Sequence, residues 1–213
     1  MTRRQFSIST LLALSLFAIA VFAEQKAPET AAVTVATVGQ TAPDFTLSDA
    51  AGKSHSLSLY KGKYVVLEWI NFDCPFVRKH YNSGNMPRLQ KEMMEKGVVW
   101  LGICSSASGK QGYFEGKELT ERLKSEGFSA NAYLIDGDGN VGRMYGAKTT
   151  PHMYVINPEG SLVYAGAIDD KPSTKLDDVK GATNYIVAAL QAAMAGKEIS
   201  TKSTVSYGCS VKY

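Results

Sequence analysis

Cys74, Cys104 and Cys209 are the cysteines of this 213-residue chain, and Cys74 carries the strongest chemical signal because Pro75 follows it. Proline suits the first position of a helix, where an amide hydrogen would lack a partner. A thiol just ahead of it faces the free amides and the positive dipole end of that helix, a setting that favours thiolate. Thiolate is the form that attacks a disulfide, so the chemistry indicated is thiol–disulfide exchange, with Arg78 and Lys79 placed to add positive potential or simply to form a solvated helix face. An inert buried cysteine is the plainer alternative. Cys209 lies beyond the last helical pattern in a Ser- and Thr-bearing tail, where a lone thiol has no packing reason to exist. Three readings stand for it: a mobile tail thiol that resolves Cys74, a free thiol, or an intermolecular bridge. Cys104 closes the apolar run 98–103 and reads either as a core residue or as a neighbour of the site.

A thiol so placed needs a rigid strand behind it. Residues 64–70 form an apolar run interrupted by Glu68, the pattern of a strand buried on both faces of a sheet. The helix opened by Pro75 follows, and Met86, Leu89, Met93 and Met94 continue a helical spacing past Gly84, so a break is expected between Ser83 and Pro87. Residues 98–103 and 132–135 read as further buried strands and 119–124 as a polar-faced helix. Residues 153–156 and 162–165 read as a hairpin, and 182–194 as a last helix with Ile186, Ala189, Leu190 and Ala193 on one face. Structure is expected to start near Ala42-Pro43-Asp44-Phe45, followed by the strand-like alternation Ser56-Leu57-Ser58-Leu59. The order predicts an α/β protein with a mixed central sheet and helices on both faces. The acidic run Asp136 to Asn140 begins like a calcium loop, but Val141 and Ala147 stand where glycine and glutamate are needed, so it reads as a turn.

The stretch Trp69-Ile70-Asn71-Phe72-Asp73-Cys74-Pro75-Phe76-Val77, taken with Thr149-Thr150-Pro151, resembles the thioredoxin superfamily, a likeness running over about residues 39–195. It implies a thioredoxin fold in which Pro151, in cis, faces Cys74 and Thr150 offers its backbone to a bound substrate chain. Pro75 and Phe76 complete the implied substrate-binding set. Thioredoxins hold a buried acid six residues ahead of the cysteine, and Glu68 matches it. A carboxyl tuned by burial toward neutral pH would move a proton during exchange; a glutamate paired with a lysine at a strand edge is the alternative. The run Tyr145-Gly146, Thr150-Pro151, Ile156-Asn157-Pro158-Glu159-Gly160, Tyr164-Ala165-Gly166 is similar to redoxins of the peroxiredoxin and membrane-linked thioredoxin branches. The departures are specific. Val77 replaces the second thioredoxin cysteine, and Asn71 and Leu67 replace the peroxiredoxin Thr or Ser that orients peroxide and the Pro before it. Cys-Pro-Phe-Val with the closing Gly208-Cys209-Ser210-Val211-Lys212 is most similar to peroxiredoxin-like redoxins of the AhpC/TSA type with a single cysteine in the active motif. Related folds act as copper chaperones, which makes Cys74, His80 and His152 a conceivable ligand set, but those chaperones use two motif cysteines. No metal and no cofactor are expected.

Residues 1–23 combine Arg3 and Arg4 with an apolar run from Ile8 to Ala23, the layout of a signal peptide cleaved after Ala23. The run is shorter than the roughly 20 residues of a membrane span, although an uncleaved anchor is the alternative. Arg3-Arg4-Gln5-Phe6 resembles a twin-arginine export signal, and the ordinary secretion route would accept it too. The expected destination is periplasmic or secreted. Disulfides persist there, but three cysteines are too few for a disulfide scaffold. Without Arg3 and Arg4 the chain has 21 basic and 20 acidic residues, which gives no electrostatic case for nucleic acid or an anionic membrane. The expected plan is a leader at 1–23, a linker at 24–40, a redoxin domain at 41–195 and a tail at 196–213. The expected function is an exported thiol–disulfide oxidoreductase or peroxidase-like redoxin, acting on a disulfide-bearing protein or a peroxide with an external thiol reductant. A non-catalytic binding module or a copper chaperone is the alternative.

Overall fold

The computed structural model describes Met1 and residues 35–213, so residues 2–23 of the expected leader and 24–34 of the expected linker lie outside the described residues. Strand β3 (Val65–Trp69) is buried at every position because successive side chains feed two different cores. Val66 packs into a cluster on one face of the sheet, and Val65, Leu67 and Trp69 into a cluster on the other. Each such side chain contributes about 1.5–3 kcal/mol relative to exposure. Around β3 the sheet comprises β1 (Thr46–Asp49), β2 (Ser54–Ser56), β4 (Val99–Cys104), β5 (Ala132–Ile135), β7 (His152–Ile156) and β8 (Leu162–Gly166), in the order β2-β1-β5-β4-β3-β7-β8. β3, β4 and β5 run parallel, while β7 runs antiparallel to β3 with His152 opposite Trp69. A separate two-stranded ribbon joins β6 (Thr149–Thr150) to β9 (Cys209–Ser210).

Helices α1 (Pro75–Asn82), α2 (Asn85–Glu95) and α3 (Gly116–Ser125) send Val77, Leu89 and Leu119 into the first core cluster. α4 (Asn140–Tyr145) packs Val141 and Tyr145 into the second cluster with Phe45 and Leu57, and α5 (Tyr185–Met194) adds Leu190 to the first. The sheet is therefore mixed and covered on both faces, as the sequence predicts. The expected break falls at Ser83 and Gly84, where Gly84 takes a left-handed φ of 70° before α2 begins. Among the described residues no helix is long and apolar enough to cross a membrane.

Four local expectations need correction. Residues 57–60 form a 3-10 turn and not a strand: Leu57 is buried, Leu59 is exposed, and the Asp44 carboxylate accepts from the Ser58 amide at 3.0 Å. Helix α4 forms where only a turn was expected, because the Asp136 carboxylate accepts from the Val141 and Gly142 amides at 3.1 and 2.8 Å. The chain joins the fold before residue 41, with the Ala36 amide on Met144 O at 3.0 Å and the Gly39 amide on Leu162 O at 2.8 Å. Finally, the tail is docked on the domain and does not hang free. The Ala107 amide bonds Lys212 O at 2.8 Å, the Tyr213 hydroxyl reaches Ala147 O at 2.7 Å, and β9 pairs with β6.

Candidate active site

Cys74 is the N-cap residue of α1, with Pro75 in the helix's first turn, and its side chain is fully buried. Its thiol donates to Thr150 O at 3.0 Å, and the Thr150–Pro151 peptide bond is cis. Thr150 lies opposite Cys209 in the β6–β9 ribbon, which brings the second thiol beside the first. Burial alone would raise the Cys74 pKa, but hydrogen bonds from the Cys209 thiol, Thr150 and the Val77 and Cys209 amides outweigh it and hold Cys74 below the ordinary thiol range. The Thr150 hydroxyl is buried, and the Cys74 sulfur is the group it serves. The second thiol behaves oppositely: partial burial, the hydrogen bond to Cys74 and the Cys74 charge push Cys209 up to about 12. Of the two, Cys74 is the thiol that ionises first.

The close approach of the tail has a local cause. Gly208 has φ 136°, and a Cβ there would lie 2.0 Å from Thr150 O. No other residue type brings the chain so near the loop. Ahead of it, the Tyr207 hydroxyl donates to Asp169 and accepts from Lys79 at 3.2 Å. Lys79 also meets Asp169 at 3.4 Å and Lys171 O at 2.7 Å. The Tyr207 ring lies under the Lys79 ammonium at 5.2 Å and beside the Phe76 ring at 5.8 Å. Phe76 therefore contacts the protein's own tail. Pro75 is exposed at the start of α1.

The other expected participants lie elsewhere. Glu68 is fully buried, accepting from Trp100 Nε1 at 2.8 Å, Gln90 Nε2 at 3.0 Å and the Tyr81 hydroxyl at 3.0 Å. Burial outweighs those three donors and raises its pKa to about 7. It holds no hydrogen bond to Cys74 or Cys209 among the described residues; its burial and its pKa raised toward neutral are those of the buried-acid reading and not of a lysine-paired glutamate at a strand edge. Cys104 is buried and donates to Gly112 O at 3.3 Å, which is the core reading. Lys79, expected as a booster of the thiolate or as a solvated helix face, is instead buried against Asp169. Asn71 is engaged with the Asp73 amide at 2.9 Å and Gln111 O at 3.3 Å, so the position where peroxiredoxins carry a peroxide-orienting hydroxyl is structural here.

The copper-type set is not assembled either. His80 shares Nδ1 with Asn85 at 3.1 Å and Nε2 with Tyr207 at 3.4 Å, while His152 Nδ1 meets the Tyr154 hydroxyl at 3.1 Å. Burial lowers both imidazoles to about 4. Tyr207, Gly208, Lys79 and Asp169 were not anticipated as a group. The sequence signal was the Tyr-Gly pair directly ahead of the tail cysteine, which marks a close backbone approach once a partner surface is known.

A reduced thiol at a helix start, roofed by a cis-proline loop on a mixed sheet, defines a thioredoxin-superfamily redoxin. The family model described as "AhpC/TSA family" matches residues 38–165, and the chain belongs to that family. The chain is similar to the thiol-disulfide oxidoreductase ResA of Geobacillus thermodenitrificans, 30% identical over 131 residues that cover 61% of this chain and 68% of ResA. It is also similar to a tomato (Solanum lycopersicum) protein named "Probable phospholipid hydroperoxide glutathione peroxidase", 26% identical over 158 residues that cover 66% of this chain and 92% of that protein. Among solved structures, an uncharacterized conserved protein from Geobacillus kaustophilus has a TM-score of 0.71 at 27% identity, covering 83% of this chain and 92% of that chain.

Proposed function

We propose that the protein is an exported thiol–disulfide oxidoreductase in which Cys74 attacks and Cys209 resolves. The observation that carries the reading is the two thiols lying together across the β6–β9 ribbon with opposite shifts, Cys74 low and Cys209 high. The Cys74 thiolate attacks one sulfur of a substrate disulfide; that S–S bond breaks, a new one forms to Cys74, and the displaced thiolate takes up a proton. The Cys74 charge, which adds to the effect of burial in raising Cys209, is thereby gone, and the Cys209 thiol becomes easier to ionise. Cys209 then attacks Cys74, releasing the substrate as dithiol and leaving a Cys74–Cys209 disulfide for an external thiol reductant. Because Cys74 is sealed under the tail, the tail lifts to admit the substrate and returns to resolve it. Export rests on the leader-like residues 1–23.

One observation favours a peroxide as the oxidant: the buried Thr150 hydroxyl is a donor at the Cys74 sulfur. In that case Cys74 cleaves the O–O bond to form a sulfenic acid and release water or alcohol, and Cys209 condenses with it, losing water, to give the same disulfide. Non-reducing mass spectrometry tests both routes. Treatment with an oxidised dithiol or with hydrogen peroxide should yield an intramolecular Cys74–Cys209 link, and Cys74→Ser should abolish both exchange and peroxide consumption. Exchange activity retained by Cys74→Ser removes Cys74 from the mechanism.

A further inference from the structure

The chain's own tail occupies the edge of β6 in the manner of a bound strand. Cys209 pairs with Thr150 in antiparallel register, and its thiol lies at the Cys74 sulfur. Two further contacts fix how a cysteine arrives there. The residue before it presses against Thr150 O so closely that only glycine fits. The residue two before it places a phenol hydroxyl between Asp169 and Lys79, whose side chains are 2% and 0% exposed. His80 Nε2 faces the same hydroxyl at 3.4 Å. Lys79 and Asp169 pair directly at 3.4 Å, and the hydroxyl completes the set by accepting from one and donating to the other. An alanine or a phenylalanine there would leave those groups short of a partner in a buried setting, where that deficit is costly.

We infer that this depression between α1 and Asp169 is a specificity pocket for a tyrosine hydroxyl, and that the redoxin's polypeptide substrates present an extended Tyr-Gly-Cys segment that the tail imitates. The inference rests on the reading of Cys74 as nucleophile and names its substrate class. The tail and the substrate compete for one edge. Docking adds a short strand through main-chain hydrogen bonds, while the pocket and the glycine clearance provide selectivity. In the first step the Cys74 thiolate attacks the substrate's cysteine sulfur, the substrate's disulfide breaks, and its other sulfur leaves as thiolate.

The test uses the full chain carrying Tyr207→Ala and Cys209→Ser, which empties the pocket and removes the internal thiol. Its partners are short peptides whose cysteine is activated as a thionitrobenzoate disulfide, so each attack by Cys74 releases coloured thiolate. A Tyr-Gly-Cys peptide should react about tenfold faster than Phe-Gly-Cys, the effect of one hydrogen bond to charged groups, and faster still than Tyr-Ala-Cys. Equal rates for the three peptides, with the small symmetric thionitrobenzoate disulfide still reacting at Cys74, overturn the pocket and leave the nucleophile standing. Failure of even that small reagent to react at Cys74 overturns the nucleophile and the pocket together. A single Gly208→Ala change in the otherwise native chain gives a second measure that does not need the double variant to fold. It should unseat the tail and raise the rate of Cys74 alkylation by about tenfold, and an unchanged rate refutes the clearance on which the selectivity depends.

Discussion

Replacing Glu68 by glutamine separates a stability role from a catalytic one. In the folded protein the carboxyl titrates at about 7 instead of 4.5, because it is buried among the Trp100, Gln90 and Tyr81 donors. A raised carboxyl stays protonated in the fold while the unfolded chain has already ionised, so folding stability declines as pH rises from 4.5 to about 7 and levels off above that. The shift from 4.5 to about 7, at about 1.4 kcal/mol per pH unit, corresponds to a loss on the order of 3 kcal/mol across that window. Glutamine never ionises, so Glu68→Gln lacks this decline. Its amide group brings two hydrogens into a cluster already filled with donors, which costs about 1–3 kcal/mol at pH 4.5. The variant should therefore be less stable than the parent in acid and draw level with it, or overtake it, by pH 8. Urea unfolding at half-unit pH steps measures the difference. His80 and His152 titrate in both proteins and cancel from the comparison. A stability difference that stays constant from pH 4.5 to 8 refutes the raised carboxyl. A full pH titration of the Cys74 thiolate absorbance reads the other role: its midpoint should coincide in the two proteins, and a displaced midpoint would show that Glu68 couples to the thiol.

Cys209→Ala removes the largest donor to the Cys74 sulfur, so the Cys74 thiolate midpoint should move upward toward the free-thiol value; an unmoved midpoint would assign the low pKa to the helix start and Thr150 alone. Lys79→Met leaves Asp169 as a buried carboxylate short of its cation and should cost about 3–5 kcal/mol, whereas adding Asp169→Asn should recover much of it; additive losses in denaturant unfolding would contradict the pairing. His152 sits at about 4 because burial disfavours its charge, so the unfolded chain takes up a proton first as pH falls below 6.5. Stability therefore drops between pH 6.5 and 4, and His152→Gln should flatten that acid slope by about 1.4 kcal/mol per pH unit; an unchanged slope removes His152 from the acid response.

The strand and helix that carry Cys74 were readable because each has a local signature. A strand buried on both faces shows as the apolar run into Trp69, and Pro75 announces a helix start wherever the following residues permit one. The cis-proline loop was readable through resemblance alone, since nothing in the order Thr149-Thr150-Pro151 specifies an isomer. What remained illegible depends on contacts between distant segments. Leu57 and Leu59 alternate like a strand, yet the Asp44 carboxylate turns the chain there, and side-chain capping across 14 residues leaves no periodic trace. Lys79 looked like a solvated charge because its partner Asp169 lies 90 residues away, and the three donors around Glu68 come from α1, α2 and β4, which no local pattern links.

The tail shows the same limit most sharply, and it bears on the chemistry. A Ser- and Thr-bearing end after the last helix has the composition of a mobile segment, and mobility would make Cys209 a resolving thiol of low effective concentration. The structure instead spends Tyr207, Gly208 and the ribbon with β6 on holding that thiol at the Cys74 sulfur. Close placement would be self-defeating if both thiols ionised together, since two neighbouring thiolates repel and neither forms readily. The asymmetry between the thiols avoids this, because burial, then the hydrogen bond to Cys74 and the Cys74 charge, push Cys209 up while Cys74 is held low. Once Cys74 becomes neutral in a covalent intermediate, the charge's share of that restraint is lifted where the second attack is needed. In the proposed reaction the order of the two attacks follows from geometry and charge, without a second cysteine in the motif at Val77.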